Sequence, residues 1–229
     1  MKPSLILKNG NIRTMDTENP RAQAVAVGRD GRVLAVGAES EVVHLAESGT
    51  RVIDLRGRTL IPGFFDCHLH ILWLGINLGH VNLASPPVKD KEDIIRLLRE
   101  RRAVQPELTC IQGNRYDQNK LPGGQHLTRQ DLDRVAMDIP VRIVHTSGHA
   151  AVVNSRALEL LGITKETPDP IGGGIDHDYY GEPSGLLLET ASWNNLDRIL
   201  PEVSPDAAVE ALGRANRYLL ERGITSATD

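Results

Sequence analysis

The stretch Leu60-Ile61-Pro62-Gly63-Phe64-Phe65-Asp66-Cys67-His68-Leu69-His70 decides how the rest of this chain is read. It opens as a short apolar run, the pattern of a buried strand, and closes in Asp-x-His-x-His. Pro62 marks the strand's entry, and Gly63 lets a neighbouring segment approach the backbone closely. Side chains two apart on a strand point to one side. Asp66, His68 and His70 are therefore expected to project together from the strand's C-terminal end. Two neutral imidazoles aimed at one point suit zinc or a similar divalent metal. The carboxylate of Asp66 can brace the first histidine from behind the metal. Cys67 points the opposite way and reads as a small core residue.

Upstream, residues 1–60 read as short strands separated by turns. An alternating run at 4–8 meets Asn9-Gly10, a two-residue hairpin signal, and 11–15 answers it. Runs at 22–27, 33–36 and 51–55 follow, with one short helix over 39–46. The expectation is a small antiparallel β unit, which must bury its apolar face on something else.

Downstream, the chain stays apolar to Leu78, and His80 reads as a loop histidine. Residues 89–103 form an amphipathic pattern with Ile94, Ile95, Leu97 and Leu98 on one face and Asp90 as cap. A strand is expected at 108–112, with Cys110 in the core, and a polar loop at 113–125. Thr128 caps a short helix to 135. Residues 141–145 read as a strand in which His145 is structural, and His149 follows Gly148 in the next loop. Asn154-Ser155 opens a helix that Gly162 closes. A Gly/Pro-rich loop at 168–184, a candidate lid, lacks both a phosphate-loop pattern and a spaced calcium-ligand series. Residues 185–200 read as helical. Within them Glu189 sits in an apolar stretch, where an unpaired carboxylate is costly. It should be exposed, paired or bound to metal. Ser204-Pro205 opens a last helix, Gly223 ends it, and 224–228 begins a strand.

Composition excludes several classes. A net charge of -4 with 3% aromatic residues offers neither a basic patch nor a base-stacking platform, so no nucleic-acid partner is expected. No apolar run approaches bilayer-spanning length, and the N-terminus lacks an apolar signal region, so no membrane is expected and the cytoplasm is the default compartment. Two cysteines make no disulfide framework.

The run PGFFDCHLH resembles the first barrel strand of the amidohydrolase superfamily. PVRIVHTSGHAAVVNSRALELLGI and GEPSGLLLETA are similar to its amidohydrolase-3 group, which includes N-substituted formamide deformylase-like enzymes. The likeness covers nearly the whole chain. It implies an α/β fold in which residues 1–60 are the N-terminal part of a small β-sandwich. Residues 61–229 would begin a (β/α)8 TIM-like barrel, with a large insertion at about 71–200. Such a barrel needs about 250 residues, so the barrel is expected to be incomplete and the chain an N-terminal portion. The resemblance further implies that His68 and His70 are metal ligands for one or two divalent ions, foremost zinc. Asp66 would stand behind them, Glu189 is a candidate metal-bridging residue, and His149 is a candidate substrate-binding residue. The catalytic aspartate base and the remaining ligands are expected beyond Asp229. The implied reaction is attack by metal-activated water on a non-peptide carbon–nitrogen bond, as in amides or formamides. Two alternatives remain: a truncated, non-catalytic metal-binding or interaction module, and a ring deaminase on the same scaffold. The expected partners are a small-molecule substrate and either a second copy or the missing C-terminal part.

Overall fold

Pro3–Lys8 (β1) is the strand about which the first unit of the protein forms, in a computed structural model that describes residues 2–229. Ile6, fully buried, sits at its centre. Asn11–Arg13 (β2), Arg21–Ala22 (β3), Ala24–Gly28 (β4) and Val33–Gly37 (β5) follow. A short helix, Glu39–Val43 (α1), then leads to Arg51–Asp54 (β6), Thr59–Leu60 (β7) and Phe64–Asp66 (β8). Four strands make a sheet in the order β5-β4-β1-β6, and three make a second sheet in the order β3-β2-β7. Ile6, Ala24, Ala26 and Val42 form the buried core of this unit.

Two expectations change here. Asn9-Gly10 closes no hairpin, because β1 and β2 lie in different sheets. Asn9 does take a positive φ of 52°, so the turn chemistry is used, but it redirects the chain instead of folding it back. Pairing β1 with β6 engages four residues, Leu5 to Lys8, against Arg51 to Asp54, whereas β2 is only three residues long. The unit is also mixed and not antiparallel, since β1–β6 and β2–β7 are parallel pairs.

The second unit, His68–Leu220 with Asp229, is built on a six-stranded sheet. Its elements are Ile71–Asn77 (α2), Val81–Asn82 (β9), Lys91–Val104 (α3), Ile111–Tyr116 (β10), Arg129–Asp133 (α4) and Val141–His145 (β11). They continue with Ala150–Val153 (β12), Ser155–Leu161 (α5), Gly173–His177 (β13), Pro183–Glu189 (β14), Thr190–Trp193 (α6) and Pro205–Leu220 (α7). The sheet order is β13-β14-β12-β11-β10-β9. β9, β10 and β11 run parallel, and β12, β13 and β14 are antiparallel to their neighbours. One core joins Leu83, Ile94, Ile95 and Leu98 to Ile111, Leu132 and Ile143. A second joins Val153, Ala157, Leu158 and Leu187 to Ile199.

The caps that the sequence announces are made. Asp90 accepts from the Asp93 N–H, and Thr128 closes a reciprocal capping box with Asp131. Asn154 accepts from the Ala157 N–H, and Gly162 ends α5 with φ 73°. Helices α2 and α7 pack so closely that a Cβ on Gly75 would run into the Ala211 carbonyl.

The chain then returns to the first unit through Ile224–Ala227 (β15), which pairs in parallel with β8. The Thr228 N–H donates to the Asp66 carbonyl at 2.9 Å. A Cβ on Gly63 would collide with the Thr225 side chain, which is the close approach this glycine permits. Mixed sheets and helices make the protein α/β. Among the described residues no helix is long and apolar enough to cross a membrane.

Several local expectations are corrected. The strand expected at 108–112 begins at Ile111 and extends to Tyr116, taking residues read as loop. The Gly/Pro-rich segment contains β13, and the stretch read as helix from 185 is β14, with helix only at Thr190–Trp193. Pro183 to Leu187 alternate between buried and half-buried, so pairing with β12 and β13 outweighs the helical propensity of the leucines. Cys67 is exposed, because β8 stops at Asp66 and strand alternation does not carry it into a core. Cys110 is buried as expected, which pushes its thiol pKa up to about 12.

Candidate functional site

The Asp-x-His-x-His run straddles the end of a strand. Asp66 is the last residue of β8, while His68 and His70 lie in the bend that leads into α2. The same-side alternation of a strand therefore does not place the histidines; the bend does. It still brings them together, with ring centroids 5.2 Å apart and planes at 85°. His70 occupies the N-cap position of α2 and gives that helix no side-chain hydrogen bond, which leaves its ring available.

The ring is used by a residue that the sequence reading missed. Asp229 Oδ1 lies 3.1 Å from His70 Nδ1, and Asp229 Oδ2 accepts the Ile71 N–H at 3.0 Å. These two hydrogen bonds, from His70 first, hold the Asp229 carboxyl below the usual carboxylate range. With Nδ1–H donated to a carboxylate, the lone pair of His70 is presented on Nε2, the arrangement common to metal-ligating histidines. The signal for Asp229 was weak. It is a lone acidic residue just past a short strand, and only the β8–β15 pairing reveals which segment that strand accompanies.

Glu189 and His149 find each other. His149 Nδ1 lies 2.8 Å from Glu189 Oε2, and the Glu189 N–H donates to the His149 carbonyl at 2.8 Å. Glu189 adopts φ 49° and ψ -126°, a region that a residue with a Cβ rarely enters. Such strain persists only where the surroundings impose it. Here the junction of β14 and α6 turns the chain so that the carboxylate meets the imidazole. Trp193 packs at 5.7 Å from the His149 ring, and its indole N–H donates to the Gly148 carbonyl. Of the three options for Glu189, the structure shows it exposed and paired.

The donor chemistry at His68 and His70 fits a divalent metal, but two imidazoles are only part of a tetrahedral set. Among the described residues no group of three or more His, Cys, Asp or Glu is placed to hold an ion. Glu189 and His149 thus do not join His68 and His70 in one such group. His80 stays off both arrangements. Burial, then the charges of Arg142, Arg101 and Arg214, push its pKa down to about 4.

A family model described as the amidohydrolase family matches residues 51–229. N-substituted formamide deformylase of Arthrobacter pascens is 34% identical over 98% of this chain and 42% of its own length. The Arabidopsis thaliana protein LONG AFTER FAR-RED 3 is 32% identical over 98% of this chain and 38% of its own. The crystal structure of a metal-dependent hydrolase from Pyrococcus horikoshii superimposes with a TM-score of 0.63 at 30% identity. That match covers 97% of this chain and 42% of the other. The chain thus spans about two fifths of the length of the relatives it matches.

Proposed function

The chain belongs to the amidohydrolase family, and on that premise we propose that it serves a metal-dependent hydrolase of non-peptide carbon–nitrogen bonds, in amides or formamides. The observation that carries this reading is the facing pair His68 and His70, with the Asp229 carboxylate on His70 Nδ1. The names of the relatives, a formamide deformylase and a metal-dependent hydrolase, point the same way.

In this reading His68 and His70 hold the ion, zinc first among the candidates, as one or two ions. Asp229 fixes the tautomer and orientation of His70, and Asp66 would brace the first histidine from behind the metal. When bound, a divalent metal activates water near neutral pH and polarises a carbonyl. His149 faces substrate, and Glu189 holds its ring. A bridging role for Glu189 would require its carboxylate to leave His149 and reach the ion at His68 and His70. The general base is not assigned to a residue of this chain.

The parallel pair β8 and β15 would be the opening strands of a (β/α)8 barrel, with residues from about 71 to 200 as the large insertion. The two small sheets of the first unit would be the sandwich portion, divided from the barrel near residue 60. The partner is a small molecule, with a second copy or a C-terminal part of the fold completing the site. An exposed free thiol at Cys67 accords with a reducing compartment such as the cytoplasm.

The test is metal content by elemental analysis, on the protein and on His68→Asn and His70→Asn. One or two divalent ions per chain are expected, falling to a small fraction in either variant while the fold, followed by circular dichroism, is retained. Undiminished metal in both variants would overturn the reading.

A further inference from the structure

The segments that enter β10 and β11, one face of α5 and residues 198–201 border an open cavity of about 390 Å³. It lies at the amino ends of the two parallel strands, and the metal reading uses none of its lining residues. Ile139 packs on the edge of the first core of this unit, and Leu160 and Leu200 pack on the edge of the second. The cavity therefore opens where the two cores adjoin, and Leu108 completes its apolar floor. All four side chains are half-buried. Arg156 and Leu160 stand four residues apart on α5, so they share a helix face, and the helix sets a guanidinium beside its leucine. Arg198 follows α6, and its Nη1 donates to the Leu161 carbonyl at 3.3 Å, which ties this guanidinium to the end of α5.

The charges on this cavity do not balance. Asp138, Arg156 and Arg198 are the charged residues that line it. Asp138 is already neutralised, because Arg102 donates to both of its oxygens at 2.6 Å. Arg156 gives Nη1 to Glu159 at 2.6 Å, an exposed partner on its own helix, and such pairs hold weakly in water. Arg198 meets no carboxylate among the described residues. An apolar floor is thus joined to an excess of positive charge carried on guanidinium groups. The volume falls in the lower part of the range that takes small molecules, about 300–1,000 Å³.

We propose that this cavity binds a small carboxylate with an apolar tail, the carboxylate on Arg198 and Arg156 and the tail along Leu108, Ile139, Leu160 and Leu200. The forked N–H groups of a guanidinium match the two oxygens of a carboxylate. The tail takes the half-buried apolar side chains out of water. A bare inorganic anion would leave them wet, and a cation would face the arginines. The site shares no residue with the metal and needs no bond to break, so it does not rest on the hydrolase reading.

The experiment follows the methyl groups of the full chain, labelled with carbon-13 at isoleucine and leucine, during titration with octanoate. A saturable shift of the Ile139 and Leu160 methyl resonances is expected. Octanol, which lacks the charge, and acetate, which lacks the tail, should each bind at least tenfold more weakly. Arg198→Gln should weaken octanoate at least tenfold, and Arg156→Gln should weaken it in the same direction. Neither arginine belongs to a core, so both variants should keep the circular dichroism of the unaltered protein. Treatment with a chelator should leave octanoate binding unchanged. The proposal falls if no saturable shift appears, if octanol or acetate binds as well as octanoate, or if Arg198→Gln keeps full affinity. It also falls if the chelator abolishes the shift, because the carboxylate would then sit on a metal.

Discussion

His70 is oriented by a residue 159 positions away along the chain. That distance separates two kinds of candidate site residue. His68 and His70 declare themselves by spacing, whereas Asp229 carries no local mark. Its carboxylate bridges the His70 ring and the Ile71 N–H, so it sets both the ring and the first turn of α2. Removing such a partner behind a metal-binding histidine weakens metal affinity about 10- to 100-fold. Asp229→Asn should show that loss in a chelator competition, while His149→Asn leaves metal affinity within a factor of two or three. Equal affinity in Asp229→Asn and the unaltered protein would remove Asp229 from the site.

At the scale of elements, two small residues set how helices meet their neighbours. Gly75 lets α2 lie against α7, and a methyl group there meets backbone that cannot step aside. Gly75→Ala should cost about 1–3 kcal/mol, as overpacking does, read as a drop in the denaturant midpoint. Asn154 is fully buried between β12 and α5 and serves four backbone groups. Its Oδ1 accepts from Val141 and Ala157, and its amide donates to the carbonyls of Ala136 and Ile139. Truncation strands several buried groups at once, each worth about 1–3 kcal/mol. Asn154→Ala should therefore destabilise by about 3 kcal/mol or more, well beyond an ordinary helix cap. A loss under about 1 kcal/mol would mean that water replaces the amide.

For the whole molecule, acid stability follows from groups whose folded pKa lies below the unfolded one. His80 is pushed down to about 4 by burial and by surrounding arginines. Between pH 6.5 and 4 the unfolded chain therefore takes up its proton first, and stability falls as pH falls. Asp138 is held at about 2 by its ion pair with Arg102. Its contribution is present above the ordinary aspartate value and is lost as pH drops from about 4 toward 2. Thermal melts from pH 8 to 2 should show the midpoint declining through both windows. His80→Asn should flatten the upper window, and Arg102→Gln should flatten part of the lower one. A melting temperature independent of pH between 6.5 and 4 would contradict the half-buried position of His80 beside the arginines.

What the sequence determined by itself was local chemistry. Asp90, Thr128, Asn154 and Gly162 cap helices where their residue types say they should, because a cap is made within one turn of chain. The helix of Ile94, Ile95 and Leu98 and the strand Val141–His145 were legible for the same reason, since periodicity is a property of neighbours, whereas His68 and His70 meet in a bend that strand alternation does not foretell. Only the tertiary structure decided the rest. The partners of β1 are β4 and β6, although the turn that follows it looks like a hairpin, and β14 is a strand because two other strands flank it. Asp229 belongs beside His70 because β15 runs along β8. Glu189 reaches His149 through a strained backbone that no propensity foretells. Each of these depends on which distant segment arrives to satisfy a hydrogen-bonding edge or a charge, and that choice is made by the packed whole.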